Sequence, residues 1–168
     1  MGDGDAVEVG SLRWKDEMKT TVRVLVVDDN PLIRSAVRAM LSGLEDDSIQ
    51  WVGQAETGEA GERLAIKLMP DVVLMDVSMP GRGGVEATRR IREQVSGAKV
   101  IAFSAHEDRH RVTEMLDAGA SGYVLKCGRD GGGAIIQAIR TVSSGGIYLS
   151  DELKTPLLGT GALSSEMS

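Results

Sequence analysis

Three aspartates stand where runs of strand-forming residues stop. Asp28 and Asp29 follow Val24-Leu25-Val26-Val27, and Asp76 follows Val72-Val73-Leu74-Met75. Ser104 closes a similar run over Lys99–Ser104, and Lys126 closes another over Gly122–Lys126. Taken singly, each has an ordinary structural explanation. An aspartate after a strand is commonly a turn or cap residue, a serine there caps a helix, and a terminal lysine is solvated. Taken together, three carboxylates, a hydroxyl and an ammonium suggest a site. Close carboxylates repel, and one takes up a proton unless a cation joins them. An all-oxygen ligand set suits Mg²⁺ (or Mn²⁺) with part of its water shell retained. Such an ion and the Lys126 ammonium can neutralise an incoming phosphoryl group while Ser104 donates a hydrogen bond to it. One carboxylate is then free to act as nucleophile, since phosphoryl transfer needs mostly positioning and charge neutralisation.

These residues share a rim only if the runs that precede them are parallel strands of one sheet. Val22–Val27 is nearly continuous in apolar residues and stops at Asp28, Asp29, Asn30 and Pro31. Asn30 suits a helix cap and Pro31 the first helical position. Ile33, Val37, Leu41 and Leu44 then recur at helical spacing. The pattern continues with a strand at Ile49–Ala55 and a helix over Gly58–Leu68. A third strand ends at Asp76 and a helix spans Val85–Gln94. Strand Lys99–Ser104 precedes a helix over Asp108–Ala118, and strand Gly122–Lys126 precedes the last helix. The glycines Gly131, Gly132 and Gly133 disfavour helix, so that helix is expected from Ala134, after a mobile loop, with Ile135, Ile139 and Val142 on one face. Five strands alternating with five helices predict an α/β fold with a parallel sheet. Strands apolar on both faces predict helices on both sides, a doubly wound arrangement. In such folds the ligand site lies beyond the carboxyl ends of the strands, at the rim where the five residues gather.

The chain has 168 residues, a net charge of −6 and 42% apolar residues, enough for one domain with tails. Its acidity argues against nucleic acid as a partner of this chain. A single cysteine, Cys127, excludes an internal disulfide framework. No apolar run is long enough to span a bilayer, and Met1 to Thr20 lacks a signal-peptide core. A cytoplasmic protein with no membrane partner is therefore expected. Residues 1–20 read as a flexible tail, apart from Trp14, residues 21–146 as the folded domain, and residues 147–168 as a connector and tail with few core residues.

From Val22 to Gly146 the chain resembles the receiver domain of two-component response regulators. The resemblance is carried by Val24-Leu25-Val26-Val27-Asp28-Asp29, Asp71-Val-Val-Leu-Met-Asp76-Val-Ser-Met-Pro80, Ile101-Ala-Phe-Ser104-Ala105 and Gly122-Tyr123-Val-Leu-Lys126. It implies a flavodoxin-like strand order 2-1-3-4-5, with Asp76 phosphorylated by a sensor histidine kinase. It implies that Asp29, Asp76 and the backbone carbonyl of Ser78 hold Mg²⁺ directly and Asp28 through water. Lys126 would pair with the acyl phosphate, and Ser104 and Tyr123 would form a conformational switch, with a homodimer expected on phosphorylation. Such a domain is a signalling module rather than an enzyme. Ser144-Gly-Gly-Ile-Tyr-Leu-Ser150, followed by Glu152-Leu153, resembles the connector of regulators with a LuxR-type helix-turn-helix, and Leu163-Ser164 resembles the start of that module. The reading is thus the receiver piece of a transcription regulator whose DNA-binding domain lies outside this chain. The alternative is a stand-alone receiver acting through protein contacts. One departure is Cys127, which follows Lys126 where many receivers have proline.

His106-Glu-Asp-Arg-His110 also fits the H-E-x-x-H zinc-protease pattern. That chemistry needs both histidines on one helix and a third ligand. His106 falls in the loop before a helix, so two solvated histidines are the better reading, with His106 near the rim. Gly131–Gly133 lacks the spacing of a phosphate loop and reads as a flexible turn. Cys127 has no histidine partner and reads as a small structural residue.

Overall fold

The computed structural model describes residues 21–80, 83–128 and 132–154. The tail expected at 1–20, with Trp14, and the Leu163-Ser164 pair lie outside the described residues. The chain begins with β1 (Val22–Val27), followed by α1 (Pro31–Ser42). Asn30 caps α1 by accepting from the Leu32 N–H at 2.9 Å, with Pro31 in the first turn. Next come β2 (Ile49–Ala55) and α2 (Gly58–Leu68), the latter capped by Thr57. Strand β3 (Val72–Asp76) leads to α3 (Gly83–Gln94), and β4 (Lys99–Ser104) to α4 (Arg109–Asp117). Strand β5 (Gly122–Leu125) precedes α5 (Gly132–Ser143), and a short β6 (Tyr148–Leu149) follows.

The sheet is parallel, in the order β2-β1-β3-β4-β5-β6. Successive strand residues point to opposite faces. Val24 and Val26 of β1 therefore join Leu74, Ile101 and Val124 in a core closed by Val37 and Leu41 of α1 and by Ile135, Ile139 and Val142 of α5. Leu25 and Val27 face the other way, with Val73, Met75 and Val100, beneath Ala65, Ala87, Ile91 and Met115 of α2, α3 and α4. The doubly wound order predicted for the first five strands is the order observed.

Three features differ from the sequence reading. First, a sixth strand lies beyond β5, and the segment after Gly146 contributes to the core: Tyr148, Ser150 and Leu153 are all buried. A four-residue edge strand leaves backbone groups that need partners. Tyr148 N–H donates to the Ser121 carbonyl at 3.1 Å and Ser150 N–H to the Tyr123 carbonyl at 3.0 Å. Second, α5 begins at Gly132 rather than at Ala134, so Gly132 and Gly133 are helical and not a flexible turn. Gly131 lies outside the described residues. Helical glycine is disfavoured by only about 1 kcal/mol, which the packed face of α5 outweighs. Third, Cys127 is exposed and not a buried structural residue. It sits just past the end of β5, where the chain has left the core.

Candidate functional site

The strand register brings the aspartates together. Val27 is paired with Met75, so the next residues of β1 and β3, Asp28 and Asp76, emerge side by side. Asp28 is 1% exposed and Asp76 5%, while Asp29 is exposed. One carboxylate oxygen from each of the three lies within 4.8 Å of the others. Pairing of Asp76 with Phe103 and of Ser104 with Leu125 extends the rim across β4 to Lys126. The Lys126 ammonium lies 2.6 Å from Asp28 Oδ2 and 3.5 Å from Asp76 Oδ1.

The electrostatics of the cluster are incomplete without a further cation. Asp28 Oδ1 accepts from the Asn30 N–H at 2.9 Å, but the buried Asp28 Oδ2 has no hydrogen-bond donor. Lys126 is close to that oxygen but off the hydrogen-bonding direction. Burial pushes the Asp76 carboxyl up from the usual aspartate range. The Ser78 N–H, donating to Asp76 Oδ1 at 3.2 Å, works against this, as does Lys126, while Asp28 and Asp29 add to it. A buried carboxylate oxygen whose charge meets only the Lys126 ammonium, beside a raised Asp76 carboxyl and a third aspartate, is a set a hard divalent cation suits, so the residues fit Mg²⁺.

Ser104 and Tyr123 are both fully buried. They meet through the backbone of His106. Its N–H donates to Ser104 Oγ at 3.1 Å, and its carbonyl accepts from the Tyr123 hydroxyl at 3.1 Å. Burial pushes the Tyr123 phenol up, and a hydrogen bond with Ser104 opposes that shift. The His106 side chain is exposed, and its backbone carries the connection. His106 lies in the loop before α4 and His110 within α4, where it pairs with Glu114 at 2.6 Å. They share no helix, and the aspartate trio is the one His/Cys/Asp/Glu metal cluster found among the described residues. The zinc-protease pattern is a coincidence of sequence.

Several contributors escaped sequence reasoning. Arg34 of α1 donates to the Asp28 carbonyl at 2.7 Å, and Arg111 of α4 donates to Ser78 Oγ at 2.9 Å. Nothing in their spacing marks either arginine. Gly84 is pressed so closely on the end of β3 that an added Cβ would lie 2.2 Å from the Asp76 carbonyl oxygen. The Gly83-Gly84 pair was the available signal for that close approach.

Comparison with known proteins identifies the family the fold belongs to. A family model described as a response regulator receiver domain matches residues 24–140. The response regulator GacA of Pseudomonas viridiflava is 44% identical over 136 residues, which are 81% of this chain and 62% of that protein. The transcriptional regulatory protein DegU of Brevibacillus brevis is 36% identical over 137 residues, 82% of this chain and 56% of DegU. The chain therefore spans about three fifths of the length of these relatives. Among solved structures, a LuxR-family two-component response regulator from Aurantimonas sp. SI85-9A1 superposes with a TM-score of 0.77 at 31% identity. That match covers 84% of this chain and 99% of the other.

Proposed function

From the premise that this chain belongs to the response regulator receiver family, we propose that it accepts a phosphoryl group on Asp76 from a sensor histidine kinase and belongs to a regulator of transcription. The observation that carries the reading is the convergence of Asp28, Asp29, Asp76 and Lys126 on one rim, with Asp76 alone at the end of the central β3. The Asp76 carboxylate attacks the phosphorus of the donor. A new O–P bond forms, and the N–P bond to the kinase imidazole breaks with its electron pair passing to nitrogen. Lys126 would leave Asp28 and pair with the phosphoryl oxygens. Ser104 would donate its hydroxyl hydrogen to them. Asp28, Asp29, Asp76 and the Ser78 carbonyl are the groups that would hold Mg²⁺ or Mn²⁺, which supplies charge neutralisation when bound. Ser104, His106 and Tyr123 would relay the event to α4 and β5, and a homodimer formed on phosphorylation is one expected consequence.

The names of the relatives support control of transcription as the output. No helix among the described residues is long and apolar enough to cross a membrane, which accords with a cytoplasmic site of action. Incubation with acetyl phosphate and Mg²⁺ is expected to add one phosphoryl mass. Asp76→Asn removes the uptake, and EDTA suppresses it in the wild type. Normal labelling of Asp76→Asn would overturn the assignment.

A further inference from the structure

Ser150 clasps β5 at two points. Its N–H donates to the Tyr123 carbonyl at 3.0 Å, and its hydroxyl oxygen accepts from the Leu125 N–H at 3.0 Å. Those contacts flank β5 between the buried tyrosine and Lys126. Three residues later, Leu153 is buried in the same core as Met115, Tyr123 and Leu125. The helical turn over residues 151–154 that carries it is held by the Leu153 and Lys154 N–H groups, both donating to the Ser150 carbonyl at 2.9 and 3.3 Å, and by a Lys154–Asp151 pair at 3.5 Å. A narrow cavity lined by Val112, Leu116, Glu152 and Leu153 remains between this turn and α4. The groove between α4 and β5 is therefore covered by the chain's own residues 148–154.

We infer that residues 148–154 form a strap that reads the state of the phosphorylation site through β5 and loosens when Asp76 is phosphorylated. The inference rests on the function proposed above. Its route is a short series of bonds. Lys126 N–H is tied to the Ser104 carbonyl at 2.8 Å, so the end of β5 moves with the residue that meets the phosphoryl group. The Lys126 side chain, now 2.6 Å from Asp28, is drawn towards the anion at Asp76. Leu125 is the next residue back along the chain, and its N–H is the one the Ser150 hydroxyl holds. Displacing the end of β5 lengthens that bond. The strap holds to the sheet by a two-residue strand and the buried Tyr148, Ser150 and Leu153, a small set of contacts at the sheet edge, so local opening of this kind is easily biased.

The test uses the whole chain, with beryllofluoride and Mg²⁺ as the phosphoryl mimic and ¹⁹F NMR to establish that the mimic is bound. Hydrogen exchange at the Leu125 and Ser150 amides is expected to speed up about 2- to 10-fold, the equivalent of one hydrogen bond. Trypsin cleavage after Lys154, whose side chain is 51% exposed, should accelerate in parallel, because cleavage requires the strap to leave the groove. Ser150→Ala should show fast Leu125 exchange without the mimic and little further response, while still binding it. Leu153→Ala provides a second variant, with cleavage after Lys154 fast in both states. If the mimic binds and exchange and cleavage stay unchanged or slow down, the strap inference is overturned and the phosphoacceptor reading survives. If the mimic fails to bind, both fall.

Discussion

The Lys126 ammonium lies 2.6 Å from Asp28 Oδ2, a buried oxygen whose charge it pairs. The pair is asymmetric, since the lysine side chain is 15% exposed and the aspartate 1%. Lysine keeps part of its hydration, whereas the buried Asp28 meets protein groups in place of water. On the function proposed above, this pair is a contact that phosphorylation of Asp76 would break.

Removing that contact strands the aspartate. Lys126→Met is expected to destabilise the metal-free protein by about 1–3 kcal/mol, at the low end for a broken buried pair because the lysine is partly solvated. Millimolar Mg²⁺ should recover part of the loss in the variant. Denaturant melts with and without Mg²⁺ measure both effects, and a variant as stable as the wild type in EDTA would contradict this account.

Asp76 gives a pH dependence with a definite sign. Burial raises its carboxyl in the folded protein above the ordinary aspartate value of about 3.9. Between the ordinary and raised values the folded state binds more protons than the unfolded state, so this group's contribution to stability falls as pH rises through that window. Asp76→Asn should therefore be more stable than the wild type at neutral pH in EDTA. The difference should shrink as pH falls through that window and vanish only below about 3.9, where the wild-type carboxyl becomes protonated in both states. Mg²⁺ competes with that proton, so its affinity should fall as pH drops through the same window. A tenfold excess over Kd adds about 1.4 kcal/mol of stability by mass action, and Asp29→Ala should weaken this gain. An Asn variant whose advantage is independent of pH would point to a different origin.

Gly84 and Gly133 form a matched pair of tests. A Cβ at Gly84 would meet the Asp76 carbonyl oxygen at 2.2 Å, whereas a Cβ at Gly133 meets nothing within 4 Å. Gly84→Ala should cost about 1–3 kcal/mol through forced backbone shifts and should slow labelling of Asp76. Gly133→Ala, in an exposed stretch of α5, should be neutral or stabilising by up to about 1 kcal/mol. Thermal melts of both variants decide the matter, and equal stabilities would remove the argument for close packing at β3.

Tyr123 is best tested with Tyr123→Phe. The ring is fully buried, so an alanine there would leave a large cavity and confuse signalling with unfolding. The phenylalanine removes only the hydroxyl that donates to the His106 carbonyl. It should cost about 0.5–1.5 kcal/mol, leave acetyl phosphate labelling intact and speed exchange in the loop at residues 105–108. Loss of labelling would show that the hydroxyl serves the chemistry itself.

Five strands, five helices and the rim carrying Asp28, Asp29, Asp76, Ser104 and Lys126 could be read directly from the sequence. The reason is local: a run of β-branched residues closed by a polar residue states both the strand and its end. The doubly wound arrangement then puts all those ends on one side. What only the tertiary structure decided depends on partners distant in the chain. Tyr148–Leu149 is a strand because β5 presents an unpaired edge, and two residues cannot announce that by alternation. Gly132 and Gly133 are helical because the face of α5 beyond them is buried against the sheet. Cys127 is exposed because the chain leaves the core just before it. Arg34, Arg111, the His106 backbone and Ser150 reach their places through hydrogen bonds, and hydrogen bonds across a fold leave no periodic trace. The chemistry of this protein is written in residue types at strand ends, while its wiring exists only once the chain has folded.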